Sequence, residues 1–244
     1  MQKPKAVMNW SGGKDSALAL QRVLESGEYE VKFLLTTVNE KWQRISMHGV
    51  RRELLRKQAE ALGIELLEVF LPEVSSMSVY DEKMDEAMDF LLGRGITHSI
   101  FGDIFLEDLR EYRESQLARK SMKGVFPLWK MSTSELIEEL VFRGFRAITV
   151  CVDASRLGAE FCGREVDETF VRDLPPNIDP CGENGEFHTF VYEAPCFKNP
   201  IPVRKGQVVY REYKSNGDSA WSNRFFYCDL LLAEDSGQVL SDLQ

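Results

Sequence analysis

Trp10-Ser11-Gly12-Gly13-Lys14-Asp15-Ser16 is the stretch on which the reading of this chain turns. It follows the apolar run Ala6-Val7-Met8 and opens the amphipathic run Ala17-Leu18-Ala19-Leu20. A strand that turns through two glycines into a helix gathers backbone N–H groups around one concavity. The helix dipole adds positive potential there, so the turn is a phosphate site by construction. Gly12 and Gly13 lack Cβ atoms and let phosphate come close to the backbone. Ser11 and Ser16 offer hydroxyl donors, and Lys14 offers charge. Asp15 has two readings, a magnesium ligand acting through water or a cap on the helix. The spacing fits neither G-x-x-x-x-G-K-[ST] nor G-x-G-x-x-G.

Outward from this stretch, apolar strands alternate with amphipathic helices. Val31–Val38 reads as a strand covered on both faces, and Ile64–Leu71, closed by Pro72, as a third strand. Val50, Leu54, Leu55, Ala59 and Leu62 recur at helical spacing before Gly63, and Met84, Ala87, Met88, Leu91 and Leu92 do so after the acidic turn Asp81-Glu82. Ser99–Gly102 and Val125–Trp129 are the fourth and fifth expected strands. Such alternation predicts an α/β doubly wound parallel sheet over residues 1–130, with ligands beyond the carboxyl ends of its strands. Residues 11–16, 37–49 and 102–110 fall there. A second, smaller α+β domain is expected over 131–244, opened by the capping box Ser132-Thr133-Ser134-Glu135 and followed by a strand at Ala147–Val152. Turn chemistry from Asp173 and short β-type runs at 187–192, 207–213 and 225–232 complete it.

The composition narrows the function. With 244 residues, 43% hydrophobic and 28% charged, the chain is ordinary for a soluble globular protein. Thirty-nine acidic against 30 basic residues give a net charge of −9, which argues against a nucleic-acid partner such as tRNA. No run approaches a membrane span and no signal peptide is evident. Cys151, Cys162, Cys181, Cys196 and Cys228 are odd in number and read as reduced thiols of a cytoplasmic protein. Without C-x-x-C spacing or a His pair at i,i+4, a zinc or iron–sulfur site is not expected. Assembly into a homo-oligomer stays open.

Two further constellations carry chemistry. Gly102 ends a strand, so Asp103 stands at its carboxyl edge, where a carboxylate suits magnesium, a ribose hydroxyl or an amine; a helix cap is the alternative. Glu107, Arg110 and Glu114 have the spacing of a salt-bridged helix behind it. The run Cys181-Gly182-Glu183-Asn184-Gly185-Glu186-Phe187-His188-Thr189 holds more ionisable groups than a turn needs, although Asn184-Gly185 is a hairpin signal. Glu186 and His188 share a face if the segment is a strand, and are expected to meet a second substrate with His188 as general base. His48, beside Gly49 after the second strand, is expected to face the nucleotide. His98 reads as structural.

The loop resembles the S-G-G-x-D-S loop of the PP-loop ATP pyrophosphatases. Together with the His48-Gly49 loop, Gln58-Ala59-Glu60-Ala61-Leu62-Gly63, Gly102-Asp103-Ile104, Pro127-Leu128-Trp129 and the Gly-Glu-x-Gly-Glu stretch, it resembles the diphthine–ammonia ligase family over nearly the whole chain. The resemblance implies a first domain of the adenine-nucleotide α-hydrolase type. It implies that ATP binds at Ser11, Gly12, Gly13, Lys14, Asp15, Ser16, His48 and Gly102, with Mg²⁺ at Asp15 and Asp103. Asp103, Glu186 and His188 are the expected catalytic residues. The implied reaction adenylates a small-molecule or protein-borne carboxylate, releases pyrophosphate and captures the adenylate with ammonia or an amine. Where diphthine ligases read E-G-G-E-x-E-[TS], this chain has Asn184 for a Gly and His188 for a Glu, a variant that looks like the bacterial branch of the family. A PP-loop sulfurtransferase acting on tRNA and a non-catalytic nucleotide sensor are the competing readings.

Overall fold

Three successive fully buried residues, Ala6, Val7 and Met8, make β1 (Lys5–Asn9) a strand covered on both faces. The computed structural model describes residues 2–45, 48–73, 76–213 and 223–233. In it β1 lies between β2 (Glu30–Asn39) and β5 (His98–Ile100), all parallel. β4 (Glu65–Leu71) extends the sheet beyond β2, and β6 (Lys123–Val125) extends it beyond β5. A two-residue β3 (Arg44–Ile45) pairs antiparallel with the end of β2. Strand order therefore reverses between β1 and β5, the switch point at which doubly wound sheets bind ligands.

The alternation of side chains along β1 separates the two faces. Ala6 and Met8 join the core under α1 (Lys14–Ser26) and α2 (Arg52–Leu62), while Val7 joins the one under α3 (Met77–Gly93) and α4 (Glu107–Arg119). α1 and α2 both end on glycines in the left-handed region, Gly27 at φ 63° and Gly63 at φ 68°. α3 starts a turn earlier than the Asp81-Glu82 pair suggested, because Ser76 accepts the Val79 N–H as its cap. The expected strand Val125–Trp129 is also shifted. Pairing stops at Val125, and Phe126–Trp129 forms a turn closed by the Trp129 N–H on the Phe126 carbonyl. Pro127, which has no N–H, could not have continued the ladder.

The chain then enters α5 (Thr133–Phe142), capped by Ser132 as the sequence predicted. A second, wholly antiparallel sheet follows, in the order β8 (Phe187–Glu193), β7 (Arg146–Asp153), β10 (Arg224–Leu232), β9 (Val203–Glu212), with the short α6 (Glu168–Asp173) after β7. One hydrophobic core runs from Ala6 and Leu54 through Leu136 to Phe190 and Leu230, so both sheets bury against the same interior. No helix of the described residues is long and apolar enough to cross a membrane.

Candidate active site

The glycine loop closes the free edge of β8. The Val191 N–H donates to the Gly12 carbonyl at 2.9 Å, and the Lys14 N–H donates to Thr189 Oγ1 at 3.0 Å. Between them sits Gln58, wholly buried, whose Nε2 donates to Gly12 O (2.9 Å) and Val191 O (2.6 Å) while Oε1 accepts from Trp10 Nε1 (2.9 Å). Gly12 has φ 77°, and a Cβ there would stand 2.7 Å from Gln58 Oε1. A Cβ on Gly13 would meet the Thr189 carbonyl at 3.1 Å, so its bareness also serves packing against β8. Ser16 Oγ donates to the Gly13 carbonyl and receives Ser11 Oγ at 3.1 Å, which leaves Ser11 to accept the Gly13 N–H. The loop is thus preformed by its own serines and by a strand of the other sheet.

Lys14 turns inward. It is 2% exposed, and its Nζ lies between the Asp15 carboxylate (2.8 Å) and the Cys181 carbonyl, over the Phe187 ring. Burial pulls against the ammonium charge, but Asp15 and the neighbouring Cys181 and Glu183 hold its pKa above the ordinary value. The capping role open to Asp15 goes instead to Gly13, the N-cap of α1, which leaves Asp15 in the first turn paired with Lys14.

Gly102 brings the end of β5 onto that first turn. A Cβ there would lie 2.9 Å from both the Asp15 carbonyl carbon and the Ser16 nitrogen. Asp103 is not a cap either, because the N-cap of α4 is Leu106. Its carboxylate lies 2.8 Å from Arg113 Nε without hydrogen-bond alignment, and Arg113 rests over the Phe101 ring. Burial raises the Asp103 pKa, Arg113 opposes the rise, and Asp15 adds to it. Glu183 completes the group. It accepts the Ile104 N–H at 2.8 Å, and burial, helped by Asp15 and Asp103, lifts its pKa to about 7. Three carboxylates and one ammonium therefore converge beyond the switch point. Among the described residues no group of three His, Cys, Asp or Glu is arranged to hold a metal ion. Magnesium at a nucleotide, however, takes one or two carboxylates and completes its shell with phosphate oxygens and water, a demand Asp15 and Asp103 fit.

The expected pairing of Glu186 with His188 is not found. β8 begins at Phe187, and Glu186 lies ahead of it, fully buried. Its Oε1 accepts from Asp179 N (3.3 Å) and Asn184 Nδ2 (3.1 Å), with Arg156 at 3.6 Å. Asn184-Gly185 does not join two strands. It belongs to linked turns in which Gly182 N–H bonds Asp179 O and Gly185 N–H bonds Gly182 O. The partner of His188 is His48, stacked on it with centroids 4.3 Å apart and planes 18° from parallel. Burial lowers both imidazoles, His188 to about 4 with help from Lys14, and His48 well below its usual value with help from His188. His48 Nδ1 is buried without a partner. His98 packs its ring on Tyr29, as a structural residue does.

Four residues of this site escaped assignment from sequence: Gln58, Thr189, Glu183 and Arg113. The first three stand inside stretches that the family pattern had already marked. Arg113 carried only the weaker signal of a basic residue among acidic ones. The surrounding helix pairs Glu107 with Lys130 (3.0 Å) and Arg110 with Glu114 (2.9 Å), which are surface contacts. A broad concavity of about 640 Å³ lies at the far end of α1 among Arg22, Tyr29 and Phe126, and includes none of these residues.

A doubly wound sheet with this loop at its switch point and a second sheet clasping the loop is a framework suited to holding phosphate groups beyond the strand ends. Residues 4–123 match the diphthamide synthase N-terminal domain, and residues 132–229 match the diphthamide synthase C-terminal domain. The chain belongs to the diphthamide synthase family. It is similar to the diphthine–ammonia ligases of Schizosaccharomyces pombe (27% identical), Bos taurus (25%) and Homo sapiens (24%), each over 82% of this chain. The match spans 82% of the cattle and human proteins but 36% of the longer yeast one.

Proposed function

We propose that this enzyme joins a substrate carboxylate to ammonia or an amine, splitting ATP to AMP and pyrophosphate. A carboxylate oxygen attacks the α-phosphorus, the bond to the β-phosphate oxygen breaks, and pyrophosphate leaves. The nitrogen nucleophile then attacks the acyl carbon, the bond to AMP breaks, and the nitrogen gives up a proton. The observation that carries this reading is the bonding of the Ser11–Ser16 loop to β8, the strand that holds His188. That bonding supports a phosphate cradle working as one rigid unit with an imidazole that stays neutral at physiological pH.

In this reading residues 1–130 bind ATP and 131–244 supply the second-substrate side. Backbone N–H groups of the loop and first turn of α1 hold the departing pyrophosphate, a preorganised arrangement that stabilises developing charge. Magnesium, held by Asp15 and Asp103, would supply charge neutralisation at the phosphates. Glu186 keeps the 179–186 turns in shape, and the stacked His48 and His188 face the acyl group, with His188 accepting the proton. The relatives' name specifies diphthine and ammonia; His188 in place of a carboxylate removes a negative charge and favours a different, small or protein-borne carboxylate here. A sulfurtransferase reading lacks support, since burial drives the thiols of Cys151 and Cys162 up to about 12 and of Cys196 to about 11. A cytoplasmic setting suits five free cysteines.

Chromatography of spent nucleotide, with a panel of carboxylated metabolites and ammonium, tests the proposal. AMP and pyrophosphate appearing with one carboxylate is the expected result. ADP as the main product overturns it.

A further inference from the structure

The loop that delivers His48 is gripped at both feet. Arg44 and Arg51 face each other across its base as an antiparallel bridge, and Ile45 N–H closes it on Val50 O at 2.8 Å. Two guanidinium groups side by side repel unless a carboxylate lies between them. Asp229, on β10 of the other sheet, is that carboxylate. Its Oδ1 accepts from Arg44 Nη1 (2.9 Å) and Arg51 Nε (3.0 Å), and its Oδ2 accepts from Arg51 Nη2 (2.8 Å). The two-pronged Arg51 contact fixes orientation as well as distance. Arg44 Nη1 also donates to the Gly49 carbonyl at 2.6 Å, one residue from His48. The β9–β10 register shifts between Cys228 and Leu230, an irregularity of the kind that re-aims a side chain, and Asp229 sits in it. Two residues earlier, Tyr227 lies against Gly49, where a Cβ would meet its ring at 3.0 Å.

We infer that Asp229 is a positioning residue, which through Arg44 and Arg51 seats the His48 loop on β8 and so fixes the stacking of His48 on His188. The inference deepens the proposed function and rests on its reading of the histidine pair as facing the acyl group. Asp229 touches neither nucleotide loop nor imidazole, so its effect reaches the reaction only through the loop. Its carboxyl is held below the ordinary range: burial alone would raise it, and the hydrogen bonds from Arg51 and Arg44 outweigh that. The clamp is therefore charged throughout the neutral range.

The test uses the full chain, with Asp229→Asn and the conservative Asp229→Glu. The protein has three histidines, so ring signals of His48, His98 and His188 are separable by NMR once each is assigned by substitution. In Asp229→Asn the loop lifts, the half-buried pair separates and gains exposure, and the His188 titration moves up from about 4 toward the ordinary range, while His98 stays put. Amide-forming kcat falls by about 10²-fold, the size expected from misplacing a catalytic group by about an ångström, with ATP affinity unchanged. Asp229→Glu restores most of both. Should Asp229→Asn fail to fold, Arg51→Ala must give the same His188 shift. Unmoved His188 titration in a folded variant overturns the positioning role. Full turnover in His188→Ala would instead overturn the reading of the histidine pair while leaving the titration result to judge Asp229.

Discussion

Gln58→Glu exchanges a single NH₂ for oxygen at the point where the two sheets meet. The Trp10 contact survives, because an acceptor remains at Oε1. The other two contacts reverse sign, with an oxygen set against the carbonyls of Gly12 and Val191 at 2.9 and 2.6 Å. The Gly12 carbonyl keeps the Val191 N–H, but the buried Val191 carbonyl loses its side-chain donor and both now face an anionic oxygen, so the ionised variant should lose about 1–3 kcal/mol. That is a large share of the roughly 5–15 kcal/mol that holds a domain folded. Protonation of the introduced carboxyl recovers one of the two bonds, so its pKa is raised in the folded state. The sign follows from linkage. Relative to the parent, the variant keeps most stability below about pH 4, the unfolded carboxyl value, and loses it as pH rises through the raised folded value, at up to about 1.4 kcal/mol per pH unit. Urea unfolding of both proteins at pH 5 and pH 8 measures this, and ATP titration calorimetry should show affinity about tenfold weaker, or about 1.4 kcal/mol, as Gly12 loses its anchor. A stability difference below about 0.5 kcal/mol at both pH values, the range of inert surface changes, would refute the staple.

Gly102→Ala puts a methyl 2.9 Å from the backbone of Asp15 and Ser16, and should cost about 1–3 kcal/mol by overpacking while weakening ATP binding. Thermal melts and calorimetry check this, and intact ATP affinity would place the phosphate site elsewhere. The pH–rate profile should bend near 7 as Glu183 ionises, and the bend should vanish in Glu183→Gln. Because burial raises that carboxyl, the parent also loses stability as pH climbs through about 7, and Glu183→Gln should flatten the decline in denaturant midpoints. Asp103→Asn should reduce turnover far more than ATP affinity, measured by pyrophosphate release against calorimetry. Equal losses would make the Arg113 contact purely structural.

What the sequence revealed was local. Ser11–Ser16 announces a strand, a tight turn and a helix start within a few residues, and the near-continuous apolar and β-branched run Val31–Val38 reads as a strand covered on both faces. What stayed hidden was the closure of the loop by a strand 175 residues away through Thr189, since an edge hydrogen bond leaves no pattern in either partner. The separate settings of Glu186 and His188 were hidden for a related reason. Period-two spacing aligns two side chains only once both lie in the strand, and Asp179 and Asn184 claim Glu186 one residue before β8 begins. The stacking of His48 on His188 was equally hidden, because the contact depends on Asp229 answering the charges at the feet of the His48 loop from the other sheet. The same geometry gives β8 a double duty. Its edge groups at Val191 and Thr189 hold the loop, while His188, which points to the opposite face from Thr189, carries the imidazole. Any displacement of the loop by nucleotide must therefore be shared with the strand that bears His188, and this mechanical link, more than any single residue, makes one site of two sheets.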